Sequence, residues 1–437
     1  MTGASSRRPW RRVAALAAGF AWCSVAGCGP EEESGRAVVS FPGSALGAEA
    51  ELLRTQLARF TAQNPDVEVV SRETPDAADQ RHQLYVQWLN ARADDPDILQ
   101  LDVIWTPEFA AAGWILPLDR FAPDASDFFA ATLEANRFGG RLYALPWFVD
   151  VGMLYWRTDL LEAPPRSLDE LADTAAAGRA RASLPYGIVW QGARYEGLVT
   201  VFLEVLGGFG GRMLDADGQA DVDSAEAVRA LEFLHAQLHG SRIAPEAVLS
   251  WQEEQVRFAF QNGRSVYMRN WPYAYALMQN PSDSKVAGRF AVAPLPAAPG
   301  GAPTAALGGQ QLAINAKTDH PDAAYRVIEF LTRPEQMIER ARVAGQFPSR
   351  ISPYASGALD GVLPVPPADA QRIIEAAVPR PATPLYTELS GLLQVRLHRA
   401  LTRQQTPREA LADAAREMNA LIERVGPLEA GDVSGGA

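Results

Sequence analysis

From Ala37 to Trp105 the hydrophobic period changes four times, and that alternation limits the chain to a small set of folds. Ala37-Val38-Val39-Ser40-Phe41 reads as a strand. Leu52, Leu53, Leu57 and Phe60 then recur at helical spacing up to Asn64-Pro65, where a helix must stop. Val67-Glu68-Val69-Val70 is a second strand, a polar helix carrying Leu84, Val86, Trp88 and Leu89 follows, and Ile98 to Trp105 is an apolar run of buried-strand character. Strand alternating with helix predicts an α/β fold whose parallel or mixed sheet presents ligands at the strand carboxyl ends. The pairs Ser167 with Glu170, Asp223 with Glu226 and Ser250 with Glu253 have the spacing of capping boxes and are read as helix starts without chemistry. Leu231, Phe233 and Leu234, and Val327, Ile328, Phe330 and Leu331, supply the core faces of two further helices. Pro294 to Gly309, rich in Pro, Gly and Ala, is the one internal linker candidate and suggests a crossing between two lobes. At 437 residues the chain has room for two or three domains.

The amino terminus predicts export. Arg7, Arg8, Arg11 and Arg12 precede an apolar run from Val13 to Trp22, too short for a stable spanning helix and built like a secretory signal. Val25-Ala26-Gly27-Cys28 resembles a bacterial lipobox, with Cys28 as the lipidated thiol; the competing reading is ordinary secretory cleavage beside a stray cysteine. Residues 1–27 are then a lipoprotein signal peptide, and 28–36, with Glu31, Glu32 and Glu33, a solvated tether. Cys23 would leave with the signal, so no disulfide is expected in the mature protein. Loss of four arginines and no acid takes the net charge from −12 to −16. That balance argues against a general nucleic-acid binder, which needs clustered cations to neutralise phosphates.

Composition also narrows the chemistry. Of the five histidines only His235 and His239 share an i, i+4 spacing, and Ala-Gln-Leu between them lacks the glutamate of a zinc-protease helix. Gly207-Gly208-Phe209-Gly210-Gly211-Arg212 has no Lys-Ser/Thr to follow it and reads as a turn rather than a phosphate cradle. No GxSxG elbow is present, and neither a metal site nor a cofactor is expected. A glycosidase stays open, because two carboxylates suffice for it and the chain has 52 acids to choose from.

Four segments set aromatic residues beside polar ones at expected strand ends: Leu101 to Trp105, Pro146 to Asp150, Val189 to Gly192 and Arg269 to Tyr273. Such a pattern suits a pyranose, whose C–H faces pack on rings while its hydroxyls need carboxylates, amides and arginines. Core aromatics with nearby caps would look the same. The stretches DILQLDVIWTPEFAAAGWILPL (97–118), LPWFVDVGMLYWRTDLL (145–161), GIVWQGARYEGLVTVFLEVLGGFGG (187–211), FQNGRSVYMRNWPYAY (260–275), LGGQQLAIN (307–315) and the segment from Arg380 to Leu393 occur in family order. By them the chain resembles extracellular solute-binding proteins of carbohydrate ABC transporters, family 1, of the trehalose/maltose-binding branch.

The resemblance implies a type II periplasmic-binding-protein fold, α/β with two lobes, a hinge and a cleft that closes on ligand. Residues 37–147 plus 310–347 would form lobe 1, 148–309 plus 348–430 lobe 2, and 431–437 a disordered tail. The hinge crossings would lie at Pro146 to Asp150, after Pro294 to Gly309, and near Phe347-Pro348-Ser349. By position, Glu49, Asp102 and Asp150 match acids that hold sugar hydroxyls, Thr74 a small hydroxyl contact, Trp271 and Tyr273 an aromatic platform, Arg380 a cleft arginine and Gly309 a backbone contact. Phe148 stands where a tyrosine is common, and Gln310 where the family has the tryptophan of GGW. The implied partners are a disaccharide or short oligosaccharide and the membrane subunits of a permease, with a monomeric receptor held to the membrane by its lipid alone. A sugar-sensing receptor would use the same lobes.

Overall fold

The structure, a computed structural model, describes residues 35–44, 48–75 and 77–425. The expected signal peptide, the lipidation site at Cys28, the tether up to residue 34 and the tail at 431–437 lie outside the described residues. Contacts divide the chain into Met1–Arg36 and Ala37–Ala437, and the strands and helices named below lie in the second unit.

The alternation opens as β1 (Ala37–Ser44), α1 (Ala48–Gln63), β2 (Val67–Thr74), α2 (Ala78–Asn90) and β3 (Ile98–Asp102). β1 and β2 pair in parallel, Ala37 opposite Val67, and α1 buries the predicted Leu52, Leu53, Leu57 and Phe60. The strand expected to reach Trp105 stops at Asp102. The Asp102 side chain accepts from the Ile104 N–H (3.3 Å) and its carbonyl from the Trp105 N–H (3.0 Å), so the backbone turns into α3 (Thr106–Ala111). The chain continues through α4 (Ala130–Glu134), the β4 (Arg137–Phe138) and β5 (Arg141–Leu142) hairpin, β6 (Ala144–Val151), β7 (Met153–Arg157), α5 (Leu168–Ala182), β8 (Tyr186–Val189), α6 (Glu196–Gly208) and α7 (Ala225–His239). Then come α8 (Glu253–Gln261), β9 (Ser265–Asn270), α9 (Tyr273–Leu277), β10 (Phe290–Ala293), β11 (Leu307–Ile314), α10 (Pro321–Leu331), α11 (Pro334–Ala344), β12 (Phe347–Pro348), α12 (Ser352–Ala355), α13 (Pro367–Glu375), α14 (Tyr386–Leu401) and α15 (Pro407–Val425).

Two four-stranded sheets organise the two lobes: β12-β6-β11-β3, antiparallel throughout where a parallel or mixed sheet was expected, and β10-β7-β9-β8, mixed because β8 and β9 run parallel. β6 and β7 belong to different sheets yet are separated by Gly152 alone. A Cβ there would lie 1.8 Å from Glu204 Oε1 and 2.7 Å from Arg269 Nη2, so a glycine is required where the chain passes this buried ion pair. One core gathers Phe41, Phe60, Trp147, Leu312 and Val327; another gathers Phe202, Leu231, Leu393 and Leu411. No described helix is long and apolar enough to cross a membrane.

Local signals differ in how far they hold. Ser167 does cap α5, accepting from the Glu170 N–H (3.1 Å). For α7 the cap is Ser224, one residue past the predicted Asp223. Ser250 caps nothing: its hydroxyl is bonded to the Ala247 carbonyl (3.0 Å) within a short 3-10 turn, and α8 starts after Gln252, whose N–H donates to Gln255. The linker candidate is irregular only to Ala306, because Leu307 to Gly309 already pair with β6.

Candidate functional site

The carboxyl end of β3, the β6 and β11 pair, and the first turns of α1, α2, α6 and α8 surround a cavity of about 610 Å³. Nine of the ten candidate residues line it: Glu49, Asp102, Phe148, Asp150, Trp271, Tyr273, Gly309, Gln310 and Arg380. Thr74 does not. It is buried at the end of β2 with its hydroxyl against Tyr85 of α2.

Glu49 lies in the first turn of α1, where a helix amino terminus favours an acid. Its Oε1 accepts from Arg340 (2.7 Å) and Gln346 (3.1 Å), and the Arg340 guanidinium, 1% exposed, sits 3.9 Å over the Trp147 ring. Asp102 accepts from Arg380 Nη2 (3.2 Å), while Arg380 Nη1 donates to Glu196 Oε1 (2.7 Å). Glu196 opens α6 and also accepts from Tyr386 (2.7 Å) and Ser390. Burial would lower the Arg380 pKa, but Asp102 and Glu196 together hold it above its ordinary value.

Asp150 is different. Its Oδ1 is sealed from solvent without a hydrogen-bond partner, and burial, then the charges of Glu49 and Asp102, push its carboxyl up to about 7. Asp79, in the first turn of α2, is pushed up to about 6 by burial and then by Glu196 and Asp102. Burial is the first cause of both shifts, with the charges of neighbouring acids adding to it.

Trp271 follows β9. Its backbone N–H donates to Asn270 Oδ1 (2.9 Å), its Nε1–H to Glu253 Oε1 (3.4 Å), and the Arg269 guanidinium lies 3.8 Å from its ring centroid. Arg269 is itself held by Glu204. Tyr273 donates to Glu254 (2.9 Å), and Gln310 accepts from Arg81 Nη2 (3.2 Å). Gly309 has φ +118°, and a Cβ there would lie 2.2 Å from the Phe148 carbonyl oxygen, so no other residue fits between β6 and β11. Phe148 is nearly sealed and packs on Trp147 at 5.5 Å between centroids.

Of the four aromatic segments, Arg269 to Tyr273 brings Trp271 and Tyr273 to the cavity and Pro146 to Asp150 brings Phe148, while the tryptophans of the other three do not line it. Trp105, Trp147 and Trp190 are 2%, 0% and 1% exposed; Trp190 spends its N–H on Gln237 (2.8 Å), and Trp147 carries Arg340. These rings are core, and their partners, Gln237, Arg340 and, over Trp105, Arg81, come from distant parts of the chain, while the adjacent Asp102 and Asp150 line the cavity. Conversely, Arg81, Tyr195, Glu196, Glu253 and Glu254 line the cavity without having been expected there. The Tyr195-Glu196-Gly197 run lies inside a stretch that carries the family resemblance, which is the signal the sequence offers for it; Glu253 has the spacing of a cap residue and is hidden by it. No group of three or more potential metal-binding side chains occurs among the described residues.

A family model for bacterial extracellular solute-binding protein matches residues 45–338. The chain is 37% identical over 354 residues to a probable ABC transporter-binding protein of Deinococcus radiodurans, covering 78% of this chain and 83% of that one. It is 24% identical over 307 residues to a maltotriose-binding protein of Pyrococcus abyssi, covering 69% and 64%. Among solved structures, the maltose-bound T. maritima MalE3 superposes with a TM-score of 0.84 at 40% identity, over 88% of this chain and all of that one.

Proposed function

Because the chain belongs to the bacterial extracellular solute-binding protein family, we propose that it is a lipid-anchored receptor that captures a disaccharide such as trehalose or maltose and delivers it to an ABC permease. The observation that carries the sugar reading is the pairing of a carboxyl without an ion pair among the described residues, Asp150, with the Trp271 ring in one cavity of about 610 Å³. A pyranose offers a C–H face to the ring and hydroxyl donors to the carboxyl. The 40% identical, maltose-bound neighbour supports the same class. Glu49, Asp102, Phe148, Tyr273, Gly309, Gln310 and Arg380 complete the proposed lining, and lobe closure about the crossings at 147/148, 309/310 and 347/348 encloses the ligand. The permease reads the closed form, and Cys28 carries the lipid.

Binding rather than hydrolysis is the role of these acids: Asp102 and Glu196 share one arginine, and Glu49 is held by another. Calorimetry with trehalose, maltose, sucrose and maltotriose tests the reading. A true ligand raises Tm by mass action, so thermal shift must agree with the measured Kd. Failure of every sugar to bind overturns the proposal, as does release of monosaccharide that stops in Asp150→Ala.

A further inference from the structure

Trp271 lines the cavity and Arg269 does not, although the guanidinium carbon of Arg269 lies 3.8 Å from the indole centroid. The arginine, near the end of β9 and 2% exposed, therefore backs the ring from the side away from the ligand space. A planar guanidinium laid on an aromatic face sets the tilt of that face as well as its position.

The guanidinium is itself clamped. Its Nε donates to Glu204 Oε2 (2.8 Å), its Nη2 to Glu204 Oε1, and its Nη1 to Gln191 Oε1 (3.4 Å), with both members of the ion pair buried. Glu204, on α6, also meets the two places where the chain changes sheet. Gly152, between β6 and β7, leaves the space that the pair occupies: a Cβ there would lie 1.8 Å from Glu204 Oε1 and 2.7 Å from Arg269 Nη2. On the return from β10 to β11, the Ala306 N–H donates to the same Glu204 oxygen (3.4 Å). A buried ion pair is a weak source of stability, because desolvation offsets most of its attraction. As a mount it does what apolar side chains cannot, giving the ring a flat backing whose direction is fixed by two parallel hydrogen bonds.

We infer that Arg269 is a positioning residue for sugar binding: held by Glu204 where the chain passes between the sheets, it keeps the Trp271 ring in the plane on which the sugar stacks and ties that plane to the crossings. This rests on the sugar-binding reading and deepens it. The test is a mutant cycle titrated by calorimetry with trehalose, maltose, sucrose and maltotriose, with thermal shift at high sugar concentration extending the range for the weaker variants. Arg269→Lys keeps a charge opposite Glu204 and loses the flat contact, so the sugar that binds the wild type should bind it about tenfold more weakly. In a Trp271→Ala background the same substitution should change affinity by no more than about twofold, because the ring through which it acts is gone. Equal losses in the two backgrounds are what a merely structural arginine gives, and they overturn the inference, as does wild-type affinity in Arg269→Lys. Gly152→Ala places a methyl against the pair from outside the cavity lining and should weaken the same sugar. A Gly152→Ala protein that folds and binds as the wild type does overturns the tie to the crossings, and the cycle on Arg269 reads out whether or not that variant folds. If the wild type binds none of the four sugars, the sugar reading itself fails and takes the inference with it; wild-type binding with additive losses sinks the inference alone.

Discussion

Asp102 and Asp150 close adjacent edges of one cavity, each at the end of a strand in the same sheet, and their surroundings are opposite. Asp102 is tied to Arg380, which reaches on to Glu196 at the start of α6 and so joins the end of β3 to that helix through one buried guanidinium. Asp150 has no ion pair among the described residues and one sealed, unpartnered oxygen. The first wall is finished without ligand; the second is not. The contrast separates acids that hold the structure in shape from an acid held in reserve, and it says that mutations on the two walls must fail in different ways.

The largest effect belongs to the finished wall. Arg380→Ala strands Asp102 and Glu196 as buried, uncompensated charges, and breaking such a group costs about 3–5 kcal/mol. Urea denaturation should show that loss in the protein without ligand. A Cm within error of wild type would mean that the Asp102 wall is no more structural than the Asp150 wall. On the unfinished wall, Trp271→Ala should leave Cm nearly unchanged and weaken sugar binding at least a hundredfold, about 2.7 kcal/mol. Equal losses of stability and affinity in that variant would erase the distinction.

Asp150→Asn should do what no change on the other wall can: stabilise the empty protein at pH 8, by on the order of 2 kcal/mol, while weakening sugar binding about tenfold. The pH dependence follows from the same shift. Burial raises the Asp150 pKa from its ordinary value to about 7, so the folded state holds a proton that the unfolded chain has released between about pH 4 and 7. Over that window the Asp150 contribution to stability falls as pH rises, and above pH 7 it is flat. Hydroxyl donors prefer the carboxylate, so sugar affinity should rise from pH 6 to 8 with a proton released on binding. Calorimetry in buffers of different ionisation enthalpy measures that release, and Asp150→Asn should abolish it.

These two walls are not equally visible in the sequence. Periodicity places β1, α1, β2 and α2, because each buries one face and the period is the burial written out. Asp102 can be found as the polar residue closing an apolar run, and Trp271 and Tyr273 within the matched RNWPY segment. The partners that distinguish the walls cannot. Arg380 is 184 residues from Glu196, and Arg340 is 291 from Glu49; such pairs exist only after folding and leave no local spacing. Trp105, Trp147 and Trp190 show the reverse failure. A tryptophan beside a polar residue has the same sequence whether its ring turns to a cavity or to the core, and only packing decides.

Gln310 offers the finest test, because it lies where the walls meet. Its neighbours across the sheet are Asp102 on β3 and Phe148 on β6, and the register shifts between Gln310 and Gln311. Its amide oxygen accepts from Arg81, which also lies over Trp105, so the side chain serves the finished wall while its position lines the cavity. Gln310→Trp removes that acceptor and adds an aromatic face to the cavity lining. Loss of the hydrogen bond should cost about 1 kcal/mol of stability. The added face should change the ratio of trehalose to maltose Kd about threefold, measured by calorimetry on both sugars, since a stacking surface rewards one orientation of the second ring. An unchanged ratio with the stability loss intact would assign Gln310 to the structural wall alone, and the boundary between the two walls would then run between Gln310 and Gly309.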